Sequence, residues 1–267
     1  MENINTDINI LYDFITRFWF VPSDAYLRTI ETIIWNKYSF KNKKVLAIGI
    51  GDGRYDSLIF KKHKTIDYGI DNDKDSVNRS IGNKLYKKVF CESAEEMHFR
   101  DNYFDLVISN STFEHIKNDI KAISEVSRVL KKKGKFLFCL PTKRLPQSLK
   151  KIGVSKDEIK WFNKRVSHLH YYSLREWKDI LRKNNLRINK YYYYMDENIL
   201  KVWWKLFKIS VFKPYHRELW SYLKDSPYGK LAPKKLIIHI LKYYLKNRFN
   251  DVFNENGVWL FIESEKI

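Results

Sequence analysis

One stretch constrains the fold of this chain more than any other: Val45-Leu46-Ala47-Ile48-Gly49-Ile50-Gly51-Asp52-Gly53. Four apolar residues read as a short buried strand, and glycines at alternate positions follow it directly. Glycine tolerates the positive φ of a tight turn and lets a ligand approach the backbone closely. The stretch after the turn, to about residue 62, reads as a helix whose first N–H groups and positive dipole end would face the same place. A second strand, 66–70, then ends in Asp71. A carboxylate there can accept hydrogen bonds from both hydroxyls of a ribose. Strand, glycine turn, helix, strand and terminal acid together point to a nucleoside ligand.

One phosphate-binding loop is excluded and a second is disfavoured. No Gly-Lys-Ser/Thr follows the turn, so it is not a Walker A loop. The dinucleotide fingerprint G-x-G-x-x-G breaks at its third glycine, which is Arg54 here, and an arginine hinders close helix–strand packing at that position. NAD and FAD are therefore disfavoured.

The same texture continues downstream. Strands are expected at 89–91, 104–109 and 135–140, with helices to about residue 86 and over 118–131. In the latter, Ile120, Ile123, Val126, Val129 and Leu130 share a face. Lys132-Lys133-Gly134 reads as a turn. Such alternation argues for a doubly wound parallel sheet. Helical patterns at about 6–18 and 23–37 precede it, the second capped by Ser23 or Asp24 after Pro22. After Pro141 the pattern loosens until a helix at 173–184, with Ser173 and Glu176 as a capping box. A strand over 186–194, mostly helical sequence over 196–250 and a last strand at 257–263 follow. The expected organisation is a helical cap (1–39), a core (40–195), a helical insert over the acceptor site (196–256) and a final core strand (257–267).

Composition narrows the setting. The 267 residues are 44% hydrophobic, which rules out a disordered chain. The net charge is +19, with Lys far above Arg and abundant Asn, Ile, Tyr and Phe, a mix that AT-rich coding would give. The basic excess then reads mainly as solvated surface, with an anionic partner as the other reading. No RGG tract, zinc-finger spacing or RNP motif favours nucleic acid. Cys91 and Cys139 sit in apolar runs and read as buried reduced thiols, which excludes a disulfide scaffold and a four-Cys zinc site. With no signal-peptide pattern and no apolar run of spanning length, a cytoplasmic location is expected.

Four blocks, VLAIGIGDG, DYGID, ESAEEMHFRDNYFDLVISNSTFEHI and SRVLKKKGKFLFCLP, occur in that order and spacing. Over about residues 40–195 they resemble class I S-adenosylmethionine (SAM)-dependent methyltransferases, of the type 11 small-molecule and glycan group. The resemblance implies a Rossmann-like α/β fold, a seven-stranded sheet in order 3-2-1-4-5-7-6 with strand 7 antiparallel. It implies SAM as cofactor, with Gly49, Gly51 and Gly53 under its methionine and ribose, Asp71 on the ribose, and Ile70 or Asn72 beside the adenine. Ser93 and Ala94 match the segment next to the adenine amino group, and Asn110 the position near the sulfonium. Two departures stand out. The family's acid before the glycine turn is Ala47 here, which shifts its task on the methionine ammonium to backbone carbonyls and Asp52. The family's adenine-side Asp is Ser93.

Methyl transfer to oxygen gains from a general base, and histidine suits that role. His115 follows Glu114 just past the fourth strand, where the family also has a Glu-His pair. It reads as a base or as part of a helix-start device. His168 and His170 alternate in H-L-H-Y-Y, so an extended segment puts both on one side; they read as base or acceptor-binding groups, or as an ordinary polar loop. No third ligand at useful spacing supports a metal site. His63, His98, His216 and His239 look incidental, and half of Tyr191–Tyr194 should face outward.

The expected activity is O-methylation of a small-molecule, sugar or lipid-linked glycan acceptor, of the kind used in polysaccharide biosynthesis. RNA or protein methylation is the second reading, weakened because the fourth strand ends in Ser-Asn-Ser-Thr and not in Asn/Asp-Pro-Pro-Tyr. A SAM-fold binding module that has lost catalysis is the third. Within 230–248, Leu236, Ile237, Ile240, Leu241, Tyr244 and Leu245 fall on one helical face, with Lys234, Lys235, Lys242 and Lys246 around it and Trp203, Trp204 and Phe207 in a nearby basic stretch. That face reads as core or subunit packing, or as a peripheral contact with an anionic membrane. The sequence does not fix the oligomeric state.

Overall fold

The computed structural model describes residues 2–63, 65–225, 227–248 and 252–267. In chain order the helices are α1 (Glu2–Arg17), α2 (Pro22–Trp35), α3 (Asp56–Ile59), α4 (Lys74–Ser80), α5 (Asp119–Val129), α6 (Arg144–Lys151), α7 (Lys156–Val166), α8 (Leu174–Lys183), α9 (Glu197–Val211), α10 (Leu219–Asp225), α11 (Pro227–Leu231) and α12 (Lys234–Leu245). The strands are β1 (Val45–Ile48), β2 (Ile66–Asp71), β3 (Tyr86–Cys91), β4 (Phe104–Asn110), β5 (Leu130–Pro141), β6 (Leu186–Tyr194) and β7 (Trp259–Lys266). Two compact units divide the chain: Met1–Tyr38 with Met195–Val252, and Ser39–Tyr194 with Phe253–Ile267.

The second unit carries the sheet, in the order β3-β2-β1-β4-β5-β7-β6. Neighbours from β3 to β5 run parallel, and β7 runs antiparallel to both β5 and β6. This is the topology the resemblance implies. β1 is buried along its whole length, which is why it reads as an unbroken apolar run. The core joins Leu46, Val107, Phe136, Phe138, Leu260 and Ile262 of the sheet to Ala122, Ile123, Val126 and Val129 of α5 and Trp177 and Leu181 of α8. Phe136 and Phe138 stack with ring centres 4.3 Å apart, and Trp177 meets Phe138 edge-on. Truncating a buried aromatic at such a position costs about 3–5 kcal/mol.

Several local expectations are corrected. The long helix expected after the glycine turn is one α turn, α3, followed by a 3-10 turn at Lys61–His63, so no long helix dipole faces the loop. Ile120 of α5 is exposed, while Ala122 takes its place in the buried face. Lys132-Lys133-Gly134 lies inside β5 as a bulge: Leu130 pairs with Phe104 and Lys135 with Leu106, and Lys133 takes φ +63°. Two helices, α6 and α7, fill the stretch that looked loose, and α7 has a full capping box from Ser155 and Glu158. The Ser173/Glu176 box of α8 forms as expected. Cys139 is buried, but Cys91 is exposed at the end of the edge strand β3.

In the first unit, α1 packs on α2 and α12, and α2 packs on α9. Val21 is the N-cap of α2 with Pro22 just inside, so Ser23 and Asp24 belong to its first turn instead of preceding it. Trp203, Trp204 and Phe207 are buried, which removes them from any surface role. The apolar face of α12 divides. Leu245 is buried, while Leu236, Ile240 and Tyr243, at i, i+4 and i+7, form an exposed ridge.

Candidate functional site

The site starts where β1, β2 and β4 end. Gly49, Gly51 and Gly53 have φ of +75°, +51° and +71°. A Cβ on Gly49 would lie 2.2 Å from Thr112 Cγ2, and one on Gly53 2.7 Å from Asn83 Nδ2. A Cβ on Gly51 would meet nothing within 4 Å. The loop is thus held at both ends by close packing and open in the middle, where a ligand can lie against bare backbone.

Asp71 joins this loop to β2. Its Oδ2 accepts from the Gly51 amide at 2.8 Å and its Oδ1 from the Asp73 amide at 3.0 Å. Each carboxylate oxygen has a second lone pair for a ligand hydroxyl. Beside it lies a cleft of about 250 Å³ lined by Ile48, Gly49, Ile70, Asp71, Asn72, Glu92, Ser93, Ala94, Glu95, Thr112, His115, Ile116 and Lys117. The wall at 92–97 is fixed from α5: Met97 N donates to Glu125 Oε2, and the Arg128 guanidinium donates to the carbonyls of Met97 and Phe99.

Seven of the residues singled out in the sequence line this cleft together: Gly49, Ile70, Asp71, Asn72, Ser93, Ala94 and His115. Others stand outside its wall. Asp52 is ion-paired to Arg54 at 2.6 Å. Partial burial would raise its pKa, but the Arg54 amide and guanidinium hold it below the usual carboxylate range. Its charge is thus paired locally with Arg54. Asn110 ends β4 and accepts from the Cys139 thiol through Oδ1.

The histidines separate. His115 Nδ1 is 3.0 Å from the Ser167 carbonyl. A carbonyl only accepts, so Nδ1 carries the proton and Nε2 the lone pair. Nε2 lies 3.9 Å from Oε1 of Glu114, which is only 1% exposed. His168 is 5.1 Å from His115, ring centre to ring centre. Its Nδ1 is 2.7 Å from the Tyr171 hydroxyl, which donates in turn to Asn163 Oδ1. Nδ1 is therefore again the donor. Burial, helped by the neighbouring His115, lowers the His168 pKa to about 3 and keeps the ring neutral. His170 turns elsewhere: Nε2 donates to the Lys117 carbonyl and the ring stacks on Tyr172. The 167–170 loop is laced to the turn after β4, with Leu169 N donating to the Glu114 carbonyl at 2.8 Å.

Two contributors, Glu92 and Thr112, were not singled out in the sequence, and a third, Glu114, was singled out only as the neighbour of His115. Glu92 lines the cleft one position before Ser93, with Oε2 bonded to His98. Thr112 closes over Gly49. Glu114 converges with His115 and His168 into a set of three metal-capable groups whose ligand atoms lie within 4.8 Å of one another. The third metal-capable group that spacing did not reveal is Glu114 of the Glu-His pair, and the two histidines brought together are His115 and His168, not His168 and His170.

The sheet order, the glycine loop bonded to the acid at the tip of β2 and the cleft beside them define a class I SAM-dependent methyltransferase domain. Residues 46–138 match the family model described as a methyltransferase domain. The uncharacterised protein MJ0638 of Methanocaldococcus jannaschii is 36% identical over 131 residues, 48% of this chain and 53% of that protein. The uncharacterised methyltransferase YcgJ of Bacillus subtilis is 28% identical over 153 residues, 54% and 56% of the two chains. The chain spans about half the length of these curated relatives. Among solved structures, geranyl diphosphate C-methyltransferase of Streptomyces coelicolor A3(2), in complex with Mg2+, geranyl diphosphate and S-adenosyl-L-homocysteine, has a TM-score of 0.51 at 12% identity, covering 84% of this chain and 70% of that one. At that identity the likeness is one of fold. No helix among the described residues is long and apolar enough to cross a membrane.

Proposed function

We propose that the protein methylates an oxygen of a small-molecule, sugar or lipid-linked glycan acceptor, with SAM as methyl donor. The residues present suit the cofactor: the bare backbone at Gly51, the Asp71 carboxylate for the ribose hydroxyls, and Ile70, Asn72, Ser93 and Ala94 around the adenine. When bound, SAM supplies a sulfonium methyl open to in-line displacement. The chain's own task is then alignment and exclusion of water.

The observation that carries the choice of oxygen is His115. It lines the cleft with Nε2 as its lone-pair nitrogen, beside the buried Glu114 carboxylate. A hydroxyl acceptor must lose its proton as the new bond forms, and an imidazole nitrogen at the cleft wall can take it. Glu114 favours the imidazolium that results. The experiment is a transfer assay with labelled SAM against sugar, glycan and lipid-linked hydroxyl acceptors, with RNA and protein substrates alongside. Label on nucleic acid or protein alone would favour the rival reading.

A lipid-linked acceptor is favoured by one feature of the first unit. The exposed ridge Leu236–Ile240–Tyr243 has Lys235, Lys242 and Lys246 on one flank, and 227–248 contains no acid. Such a surface suits anionic lipid, with each lysine near the membrane adding about 1 kcal/mol.

A further inference from the structure

We infer that Glu114, His115 and His168 form a binding site for one divalent first-row transition-metal ion, of the manganese, iron, cobalt or zinc type. Its place beside the acceptor rests on the reading of the cleft given above; its existence is tested without that reading.

Three observations carry the inference. The first is convergence: the ligand atoms of the three side chains lie within 4.8 Å of one another, with His115 Nε2 3.9 Å from Glu114 Oε1. A metal–nitrogen bond of about 2.1 Å sets each ring centre about 3.2 Å from an ion, so two rings sharing it lie about 4.5–5.2 Å apart. The observed separation of 5.1 Å falls in that range.

The second is tautomer control. Each imidazole donates through Nδ1 to a fixed oxygen, Ser167 O or the Tyr171 hydroxyl, and so presents Nε2 as a lone pair. Tyr171 is itself held by Asn163. Metal-ligating histidines almost always have such a partner on the far nitrogen, which fixes ring orientation. The third is preorganisation. Leu169 N, His115 Nδ1 and His170 Nε2 tie the 167–170 loop to the turn after β4, so the side chains from two distant stretches are held in one frame.

Two neutral imidazoles and one carboxylate suit first-row transition ions better than magnesium or calcium, which prefer all-oxygen sites. Three protein ligands leave coordination positions for a water or an acceptor oxygen. The ion would lower the pKa of that oxygen, and His115 Nε2 would serve as ligand in the loaded protein and as proton acceptor in the metal-free one.

The test uses tag-free, chelator-stripped protein titrated calorimetrically with Mn2+, Co2+ and Zn2+ separately. S-adenosylhomocysteine binding is measured on the same samples, so that failure of the cofactor cleft registers separately from failure of the cation site. The expected result is one ion per chain for at least one metal. Glu114→Gln and His168→Gln should each weaken it by at least tenfold, while His168→Gln still binds S-adenosylhomocysteine. Tyr171→Phe, which removes the hydroxyl that links His168 Nδ1 to Asn163 and leaves all three ligands in place, should weaken the ion about 10–100-fold. Absence of saturable binding for all three ions, or binding equal to wild type in Glu114→Gln and His168→Gln, overturns the inference.

Discussion

The amide of Gly51 donates to Oδ2 of Asp71 at 2.8 Å, so the loop after β1 and the tip of β2 form one hydrogen-bonded unit. Gly49 N and Ile50 N add bonds to the Ile70 carbonyl. The carboxylate is therefore aimed before any ligand arrives, and the ordering of the loop is already accounted for in the fold. Gly51 serves two ends here. Its amide orients Asp71, and its missing side chain leaves open the backbone surface proposed for the cofactor.

This division of labour separates two alanine variants. Gly49→Ala drives a methyl group into Thr112 at a positive φ, and overpacking of that kind costs about 1–3 kcal/mol before any backbone strain is added. Its melting temperature should fall clearly. Gly51→Ala meets no neighbour and carries only the left-handed backbone cost of about 1–2 kcal/mol. It should stay folded and lose affinity for S-adenosylhomocysteine. Thermal melts with calorimetry on both variants check this; a Gly51→Ala protein with wild-type affinity would contradict the cradle.

Among the histidines, the geometry ranks His115 first for turnover. His115→Gln should lower kcat on a hydroxyl acceptor by about 10²–10⁴-fold. His170→Gln should have a far smaller effect, because that ring is bonded to the Lys117 carbonyl and does not line the cleft. Steady-state kinetics of the two variants decide the ranking. Equal losses would shift the proton step away from His115.

His168 makes stability depend on pH in a defined direction. Its pKa is lowered to about 3 in the fold, against about 6.5 in an unfolded chain. Between those values the unfolded chain binds a proton that the folded one does not. The contribution is fully present above about pH 6.5 and is lost as pH falls toward 3, at about 1.4 kcal/mol per pH unit. Urea unfolding of chelator-treated protein at pH 7, 6 and 5 should show wild type losing up to about 2 kcal/mol more than His168→Gln. Parallel slopes would mean that the ring protonates equally in both states.

The sheet was legible because each of its signals is local. An apolar run at Val45–Ile48, glycines behind it and Asp71 at the next strand end each report on a few neighbouring residues. The helices α6 and α7 were less visible, although Ser155 and Glu158 carry the same capping pattern that revealed α8. The sheet-side apolar stripe that accompanies the α8 box is weaker in α7, where Phe162 is the buried residue. Cys91 looked buried because Val89 and Phe90 precede it, but it is the last residue of the edge strand β3 and is exposed there. The histidine cluster lay beyond local reading. His115 and His168 come from stretches 53 residues apart, and the bonds from the 167–170 loop to the turn after β4 bring them together. The same holds for α12, whose apolar pattern gave the face but not which half of it the first unit would cover.

The most direct test of the central claim is calorimetric titration of the intact protein with S-adenosylhomocysteine, run in parallel on wild type and Asp71→Ala. The account predicts micromolar affinity for wild type, about −8 kcal/mol. Asp71→Ala should cost about 2–3 kcal/mol, because two charge-assisted hydrogen bonds to the ribose disappear. No binding by wild type, or equal affinity in the two proteins, would contradict the assignment of this cleft as the cofactor site.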